Sequence, residues 1–199
     1  FSELEPSNLP LNQKWSWDRI LRSCYIKQAD VLQGLWFLNE EYSLEEKKRN
    51  FEFYEPLTVH ESSLSPCIHA ILAAEIGFKE KAYEYYLRTS RLDLDNYNND
   101  TDDGLHITSM AGTWMSIVNG FGGMRIRKGE LYLAPFIPEQ WEEYSFRLVF
   151  RGRIIRIIVN KTGTTIQLER GEPLDILLFG RRIRLLPGDD YHYVSNTAQ

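Results

Sequence analysis

The spacing of apolar residues predicts helices along roughly the first 120 residues. Within residues 28–42, apolar side chains recur three and four positions apart, which is the period of an amphipathic helix. Ser43 is a suitable N-cap for a second helix, with acidic residues in its first turn, that runs to about Phe53. Residues 67–77 and 79–92 predict two more helices, and so short a link requires them to lie antiparallel.

From Gly122 onward the pattern changes to a period of two residues. Six short segments alternate polar and apolar residues, and turn signals such as Thr-Gly and Pro-Gly-Asp separate them. Short strands joined by tight turns predict an antiparallel sheet or sandwich. Because the strands follow the helices instead of alternating with them, we predict two units. Residues 1–121 form the helical unit and residues 122–199 a small antiparallel β-domain.

Two of the predicted helices are apolar on most sides. The run ILAA at residues 71–74 and the run MAGTWMSIV at residues 110–118 leave little polar surface. Helices of this kind normally lie inside a larger helical assembly. We therefore expect this chain to be a segment of a longer protein, with the partner helices upstream.

Composition argues against several classes of partner. The net charge is −5 and no basic block stands out, so nucleic acid and anionic membrane surfaces are poor partners. No apolar run approaches the roughly 20 residues that span a bilayer. Cys24 and Cys67 form no CxxC pair and no zinc-like cluster. We expect no metal, and two free, buried thiols in a reducing compartment, the cytoplasm.

Three clusters of side chains are candidates for chemistry, and each has a structural alternative. The first contains Trp15 and Trp17 together with Lys27 and Gln28. Tryptophan rings can stack on a pyranose, while an amine and an amide can bind its hydroxyls. Two core tryptophans and a solvated lysine at a helix start are the structural alternative, which the pattern alone favours.

The other two clusters precede helices. Ser62 and Ser63 stand shortly before Pro66, a residue favoured in the first turn of a helix. His106 stands before a helix of small residues that is predicted over residues 107–119. Hydroxyls, a protonatable imidazole and the N–H groups of a helix start suit an inorganic anion. Helix capping by the serines and a hydrogen-bonded structural histidine are the alternatives.

Five longer segments, taken in order, resemble a known family. They are WSWDRILRSCYIKQADVLQG, FYEPLTVHESSLSPCIHA, YYLRTSRLDLDNYN, GLHITSMAGTW and GFGGMRIRKGELYLAPFIPEQW. Together they run from about Trp15 to Trp141 and resemble the C-terminal third of the family 65 glycoside phosphorylases. The resemblance implies the last helices of an (α/α)6 barrel, in which that family holds its active site, followed by a small antiparallel β-sandwich domain.

The activity implied by this resemblance is reversible phosphorolysis of an α-linked glucose disaccharide with inversion. The products are β-glucose 1-phosphate and free glucose. The amino-acid sequences of the five segments favour maltose as the disaccharide, with kojibiose, nigerose and trehalose as alternatives. Inorganic phosphate is a substrate, and no metal or organic cofactor is implied. The resemblance also implies an N-terminal remainder of the same enzyme and a homodimer.

Individual roles follow from the same resemblance. Lys27 and Gln28 match a pair that binds the glucose being transferred. Ser62, Ser63 and His106 match phosphate-binding positions. The general acid of the family is a glutamate that lies upstream of all these motifs. We therefore expect no catalytic residue in this segment, and no activity from the segment alone.

Two other functions stay open at this stage. A hydrolase of the same fold would use Glu61 as the base that activates water on the opposite face of the sugar. A non-catalytic module would use the helices only as a sugar-binding or assembly surface. Phosphate-dependent release of glucose 1-phosphate separates the phosphorylase from both.

Overall fold

A computed structural model describes residues 15–60, 62–97, 99 and 101–194 of the chain. These residues form two compact units, which divide between Ser116 and Ile117. The first unit is helical and the second is built of strands, so the predicted order of helices and then strands is confirmed. The division between the units lies five residues before the predicted one, at 116 instead of 121. Within the described residues, no helix has the length and apolar character needed to cross a membrane.

Six α-helices lie in the described part of the helical unit. Their bounds are α1 Trp17–Leu21, α2 Asp30–Phe37, α3 Leu44–Tyr54, α4 Ser65–Glu75, α5 Lys79–Ser90 and α6 Ile107–Met115. A π-helix, Ser116–Phe121, continues the chain from α6, so the helix predicted over residues 107–119 changes its hydrogen bonding after Met115. The predicted cap of α3 is confirmed, because the Ser43 hydroxyl accepts from the Glu46 N–H while the Glu46 carboxylate accepts from the Ser43 N–H.

Helix α4 is the centre of the helical unit. Every residue from Ser65 to Ala73 is buried. Helices α2, α3, α5 and α6 all pack against it. The apolar character of α4 on most sides is therefore satisfied by neighbours within this unit.

Helix α6, in contrast, keeps an apolar stripe on its outer side. Ile107, Met110 and Trp114 lie three and four residues apart and are 68%, 48% and 52% exposed. The opposite side carries Ser109 and Gly112, which are buried. An exposed stripe of this kind is what the predicted larger helical assembly requires.

Helices α4 and α6 run parallel and approach each other closely at Gly112. A Cβ added at Gly112 would lie 2.9 Å from Cβ of Cys67 on α4 and 3.1 Å from Cγ2 of Thr89 on α5. Four residues before Gly112 and Cys67, the side chains of Thr108 and Ser63 are in contact. The starts of α4 and α6 therefore lie at the same end of the helical unit. Because Thr89 is near the end of α5, this helix is antiparallel to the other two, as predicted for α4 and α5.

Replacing Gly112 by alanine is expected to lower the free energy of unfolding by about 1–3 kcal/mol, because the new methyl group has no space between three helices. Gly34→Ala in α2 is the matched control. Nothing lies within 4 Å of a Cβ at Gly34, so alanine there is expected to stabilise the helix by up to about 1 kcal/mol. Chemical denaturation of both variants beside the wild type measures the difference, and equal stabilities would contradict the close approach.

Both cysteines are free, as predicted. Cys67 is buried on α4, where burial raises the pKa of its thiol to about 11. Cys24 is exposed, so the prediction of two buried thiols is wrong for this residue. It lies in the irregular segment between α1 and α2, where no helical stripe directs side chains toward the core.

The described part of the second unit forms eight strands in two four-stranded sheets. Their bounds are β1 Arg125–Arg127, β2 Glu130–Leu133, β3 Glu143–Phe150, β4 Arg153–Asn160, β5 Gly163–Arg170, β6 Leu174–Leu178, β7 Arg181–Leu185 and β8 Asp190–Val194. The strand orders are β1-β2-β6-β7 and β3-β4-β5-β8. All paired neighbours are antiparallel except β2 and β6, where Tyr132 pairs with Leu177 in a parallel register.

The predicted sandwich is confirmed, with one parallel pair and two more strands than the sequence indicated. Strand β1 has only three residues, and β8 (DYHYV) alternates polar with aromatic residues, so neither has a strong apolar period. Strands β3, β4 and β5, which belong to the other sheet, lie between β2 and β6 in the sequence. Because no tight turn joins β2 to β6, the two strands can pair in parallel. Alternate residues of the strands are buried, as Ile155, Ile157 and Val159 are in β4.

Candidate functional site

A short parallel bridge brings the first two candidate clusters together. Ile26 pairs with Thr58, and backbone hydrogen bonds of 3.0 and 2.9 Å join Ile26 to residues 57–59. Because the paired segments run in the same direction, the residues that follow them, Lys27 on one and His60 on the other, leave the bridge at the same end. The bridge thus places the predicted sugar-binding pair beside the segment that leads to the serines.

Lys27 and Gln28 follow the bridge directly. The Lys27 side chain is exposed, and its Nζ lies 5.1 Å from the ring centroid of Trp17. The Gln28 amide donates a hydrogen bond to the Asp30 carboxylate at 2.8 Å, at the start of α2. Both side chains therefore lie where a polar ligand can reach them.

The two tryptophans of the first cluster have a packing role. Trp15 and Trp17 lie against the buried pair Ile20 and Val59. The guanidinium carbon of Arg19 stands 3.7 Å from the ring centroid of Trp15. These contacts favour the structural alternative for the two rings. By packing against Val59, the rings hold the segment before the bridge in place.

The second and third clusters meet through Ser63 and Thr108. Oγ of Ser63 lies 2.8 Å from Oγ1 of Thr108, so the starts of α4 and α6 are adjacent. Leu64 and His106 are the N-cap residues of these helices, and neither makes a capping hydrogen bond with its own side chain. Two helix N-termini, each carrying a partial positive charge, therefore lie side by side. This is the arrangement that the anion hypothesis requires.

Capping explains only part of the serine cluster. Oγ of Ser62 accepts a hydrogen bond from the backbone N–H of Leu64 at 3.3 Å. Leu64 precedes the first turn of α4, so this bond caps no N–H within the helix. Ser65 is buried, and its hydroxyl lies 3.0 Å from a ring nitrogen of His60. Pro66 lies in the first turn, as predicted, and has no N–H to be capped.

His60 has a strained backbone immediately before this cluster. Its φ is +58°, a left-handed conformation that costs a residue other than glycine about 1–3 kcal/mol. The residue is only 7% exposed, so the surrounding structure fixes this conformation. The next residue, Glu61, which the hydrolase alternative uses as a base, lies outside the described residues.

Hydrogen bonds to Tyr85 and Ser65 hold the His60 ring, and the donor and acceptor of each can be assigned. The Tyr85 hydroxyl donates to the Glu55 carboxylate at 2.8 Å, since a carboxylate only accepts. The Tyr85 oxygen then accepts from Nε2 of His60, at 3.4 Å, which leaves Nδ1 to accept from the Ser65 hydroxyl. His60 is thus neutral. Burial and, next, the charge of the neighbouring His69 lower the pKa of His60 to about 2.

His106 is held by Asp93 through two hydrogen bonds. Nδ1 of His106 donates to one carboxylate oxygen at 2.6 Å, and the His106 backbone N–H donates to the other at 2.9 Å. The hydrogen bond from the His106 side chain is the main cause that lowers the pKa of the Asp93 carboxyl, which is therefore ionised at neutral pH. With Nδ1 engaged in this way, Nε2 is the ring nitrogen that the anion hypothesis assigns to a phosphate oxygen.

Sequence reasoning missed Asp93 and the special conformation of His60. Asp93 opens the acidic, Asn-rich stretch DLDNYNNDTDD, in which no spacing distinguishes one carboxylate from another. Its partner is thirteen residues away, and such a distance leaves no periodic signal. The only sequence signal for His60 is its place directly before the Glu-Ser-Ser segment.

Several known proteins are similar to this chain in sequence and in fold. The family model described as glycosyl hydrolase family 65 central catalytic domain matches residues 1–115, and the family 65 C-terminal domain matches residues 124–185. Maltose phosphorylase of Bacillus subtilis (strain 168) is 55% identical over 94% of this chain, and α,α-trehalose phosphorylase of Thermoanaerobacter brockii is 43% identical over 94%. The matches cover 26% and 24% of those proteins, so this chain spans about a quarter of their length.

A solved structure gives the same result. A protein from the human microbiome, provisionally assigned as a kojibiose phosphorylase, superposes with a TM-score of 0.88 at 36% identity, over 100% of this chain and 29% of that one. The helical unit thus corresponds to part of the family 65 central catalytic domain, and the unit of strands to the family 65 C-terminal domain. The chain belongs to glycosyl hydrolase family 65.

Proposed function

We propose that this chain is the C-terminal part of a disaccharide phosphorylase. The enzyme catalyses reversible, inverting phosphorolysis of maltose to β-glucose 1-phosphate and glucose. The observation that carries the proposal is the 2.8 Å contact between the hydroxyls of Ser63 and Thr108, which joins the starts of α4 and α6. The names of the relatives support it, since maltose, trehalose and kojibiose phosphorylases are among them.

In this proposal Ser62, Ser63 and His106 bind the phosphate. Hydroxyl groups and an imidazolium donate hydrogen bonds to its oxygens, and the two helix starts favour its negative charge. An inverting hydrolase needs a base to activate water, whereas a phosphate dianion is already a nucleophile. The task of the site is therefore to position the phosphate in line with the anomeric carbon.

Lys27 and Gln28 bind the hydroxyls of the transferred glucose. Their place after the Ile26–Thr58 bridge supports this role, because the bridge directs them to the same end as His60 and the serines. The general acid is a glutamate in the upstream part of the catalytic domain. The chain alone is therefore inactive in this proposal, and no metal or organic cofactor takes part.

The full-length enzyme, meaning the protein of which this chain is proposed to be a part, is a cytoplasmic homodimer in this proposal. Its (α/α)6 barrel ends with the helices described above. The two free cysteines support a reducing compartment. Maltose is proposed because the Bacillus subtilis relative is 55% identical, against 43% for the Thermoanaerobacter brockii trehalose phosphorylase and 37% for the Halothermothrix orenii kojibiose phosphorylase.

The full-length enzyme is expected to release β-glucose 1-phosphate and glucose from maltose only when phosphate is present. Proton NMR identifies the anomer of the sugar phosphate, and a coupled assay measures its rate of formation. Kojibiose, nigerose and trehalose are compared under the same conditions, and kcat/KM for maltose is expected to exceed theirs by at least about 10-fold.

Each alternative gives a different result in this experiment. Release of two glucose molecules without consumption of phosphate would identify a hydrolase. Binding of the disaccharide without either product would identify a non-catalytic module. Faster phosphorolysis of another disaccharide would retain the phosphorylase and replace its substrate. The isolated chain is the control and is expected to release no product.

A further inference from the structure

We propose that Asp93 is a positioning residue of the phosphorylase, acting on phosphate through His106. The inference rests on the proposed function, in which His106 binds the phosphate. One carboxylate contacts both the imidazole and the backbone N–H of His106. It therefore sets the direction of the ring, while the ring contacts the ligand.

The two contacts fix His106 at two levels. The backbone contact is made at the N-cap of α6, so Asp93 locates the start of this helix. The side-chain contact, at 2.6 Å, locates the imidazole relative to that start. The two side chains are only 24% and 14% exposed, so water screens the pair weakly. A turn of the ring about its side-chain bonds would break the shorter contact.

Asp93 is itself held by the turn that follows α5. The preceding residue, Leu92, is 4% exposed and anchors the turn in the core. The Tyr97 N–H donates to the Leu92 carbonyl at 3.0 Å, and the Asp95 N–H donates to the Arg91 carbonyl at 2.8 Å. Because α5 is antiparallel to α4 and α6, its end lies beside their starts. The carboxylate is therefore presented to His106 by a fixed backbone.

An ionised carboxylate on Nδ1 decides what the other ring nitrogen offers to a ligand. When His106 is protonated, the Asp93 carboxylate forms an ion pair with its ring at 2.6 Å. In that form Nε2 carries a hydrogen and donates to a phosphate oxygen through a charge-assisted hydrogen bond. A neutral ring held with its hydrogen on Nδ1 would instead present a lone pair to the anion. Asp93 thus pairs with the form of His106 that donates to the anion.

Asp93→Asn in the full-length enzyme is expected to raise the KM for phosphate about 10-fold, because the carboxylate that orients the His106 ring is lost. The KM for maltose and kcat at saturating phosphate are expected to change by less than about twofold. Asp95→Asn is the matched control. It makes the same change in the same turn, but the Asp95 carboxylate pairs with Arg91, so the KM for phosphate is expected to stay at the wild-type value.

The His106→Ala background separates a positioning role from a general structural one. If Asp93 acts through His106, adding Asp93→Asn to His106→Ala leaves the KM for phosphate at the value of the single variant. A further rise in the double variant would overturn the inference. An unchanged KM in Asp93→Asn alone would do so as well.

Asp93→Glu keeps the charge and guards against loss of the fold. Its KM for phosphate is expected to lie between those of the wild type and Asp93→Asn. If Asp93→Asn does not fold, a selective rise in this KM in Asp93→Glu supports the inference, while a lower kcat with both KM values unchanged assigns Asp93 a structural role only. If the wild-type enzyme does not cleave maltose with phosphate, the proposed function itself is contradicted. This outcome is distinguishable from a failure of the Asp93 inference, which concerns the variants only.

Discussion

Replacing His106 by alanine in the full-length enzyme is expected to raise the KM for phosphate by about 100-fold, and Ser63→Ala by about 10-fold. His106 has the larger effect because a hydrogen bond from a charged donor contributes about 1.5–3 kcal/mol, whereas one from a neutral hydroxyl contributes about 1 kcal/mol. The KM for maltose is expected to change by less than about twofold in either variant, since only contacts to the anion are removed.

Initial rates at saturating maltose, measured over a range of phosphate concentrations, give these constants. His192→Ala and Ser145→Ala are the matched controls. They make the same substitutions at exposed positions of the β unit, on β8 and β3, and are expected to keep the wild-type KM for phosphate. If Ser63→Ala and His106→Ala behave like these controls, the two helix starts do not bind the anion, and the assignment of the site is wrong.

The helices that carry the candidate site could be predicted because their signals are local. Ser43 and Glu46 stand at the spacing of a capping box, and both hydrogen bonds of that box are present at the start of α3. Pro66 indicates a helix start, and α4 begins one residue before it. Local rules of this kind locate the ends of helices within one or two residues, which suffices to place Ser63 and His106 at two helix starts.

The contacts that join these starts could not be predicted, because they are made between distant residues. Ser63 and Thr108 are 45 positions apart, and Asp93 and His106 are 13 positions apart. The parallel packing of α4 on α6 creates the first contact, and it depends on the absence of a side chain at Gly112. In the sequence, that glycine is one small residue in a run of small residues.

The conformation of His60 shows a different limit. Only a small minority of residues other than glycine adopt a left-handed backbone, so the sequence alone does not predict φ = +58° at His60. The ring is fixed by Tyr85 and Ser65, which belong to α5 and α4. The packing of two helices thus imposes the backbone angle of the segment before the serines, and the cause of the local structure is tertiary.

The buried histidines His60 and His69 are expected to make the helical unit lose stability in mild acid. Their ring centroids are 4.4 Å apart, and the residues are 7% and 0% exposed. Burial is the main cause that lowers the pKa of His60 to about 2 and that of His69 to about 4. In the unfolded chain both groups titrate near the ordinary histidine pKa of about 6.5.

The sign of the effect follows from these values. Since each pKa is lower in the folded than in the unfolded state, the unfolded chain binds more protons between about pH 6.5 and pH 4. The contribution of the pair to the free energy of unfolding is constant above this range. It falls below about pH 6.5 by about 1.4 kcal/mol per pH unit for each histidine, which amounts to about 3 kcal/mol for the pair at about pH 5.5.

His69→Phe tests this expectation, because phenylalanine keeps an aromatic ring beside Phe51 and Tyr85 and removes one titrating group. The substitution gives up the hydrogen bond from Nδ1 to the Ser65 carbonyl, while Nε2 has no partner within the described part of the chain. Apparent melting temperatures of the full-length enzyme at about pH 7.5 and about pH 5.5 measure the effect.

The wild type is expected to lose about 1.4 kcal/mol more stability between the two pH values than His69→Phe, because one of the two proton-binding differences has been removed. His192→Phe, at an exposed position on β8, is expected to lose as much as the wild type. If His69→Phe also loses as much as the wild type, then His69 exchanges protons equally in the folded and unfolded states. That result would contradict the burial of a neutral histidine pair behind the serine cluster.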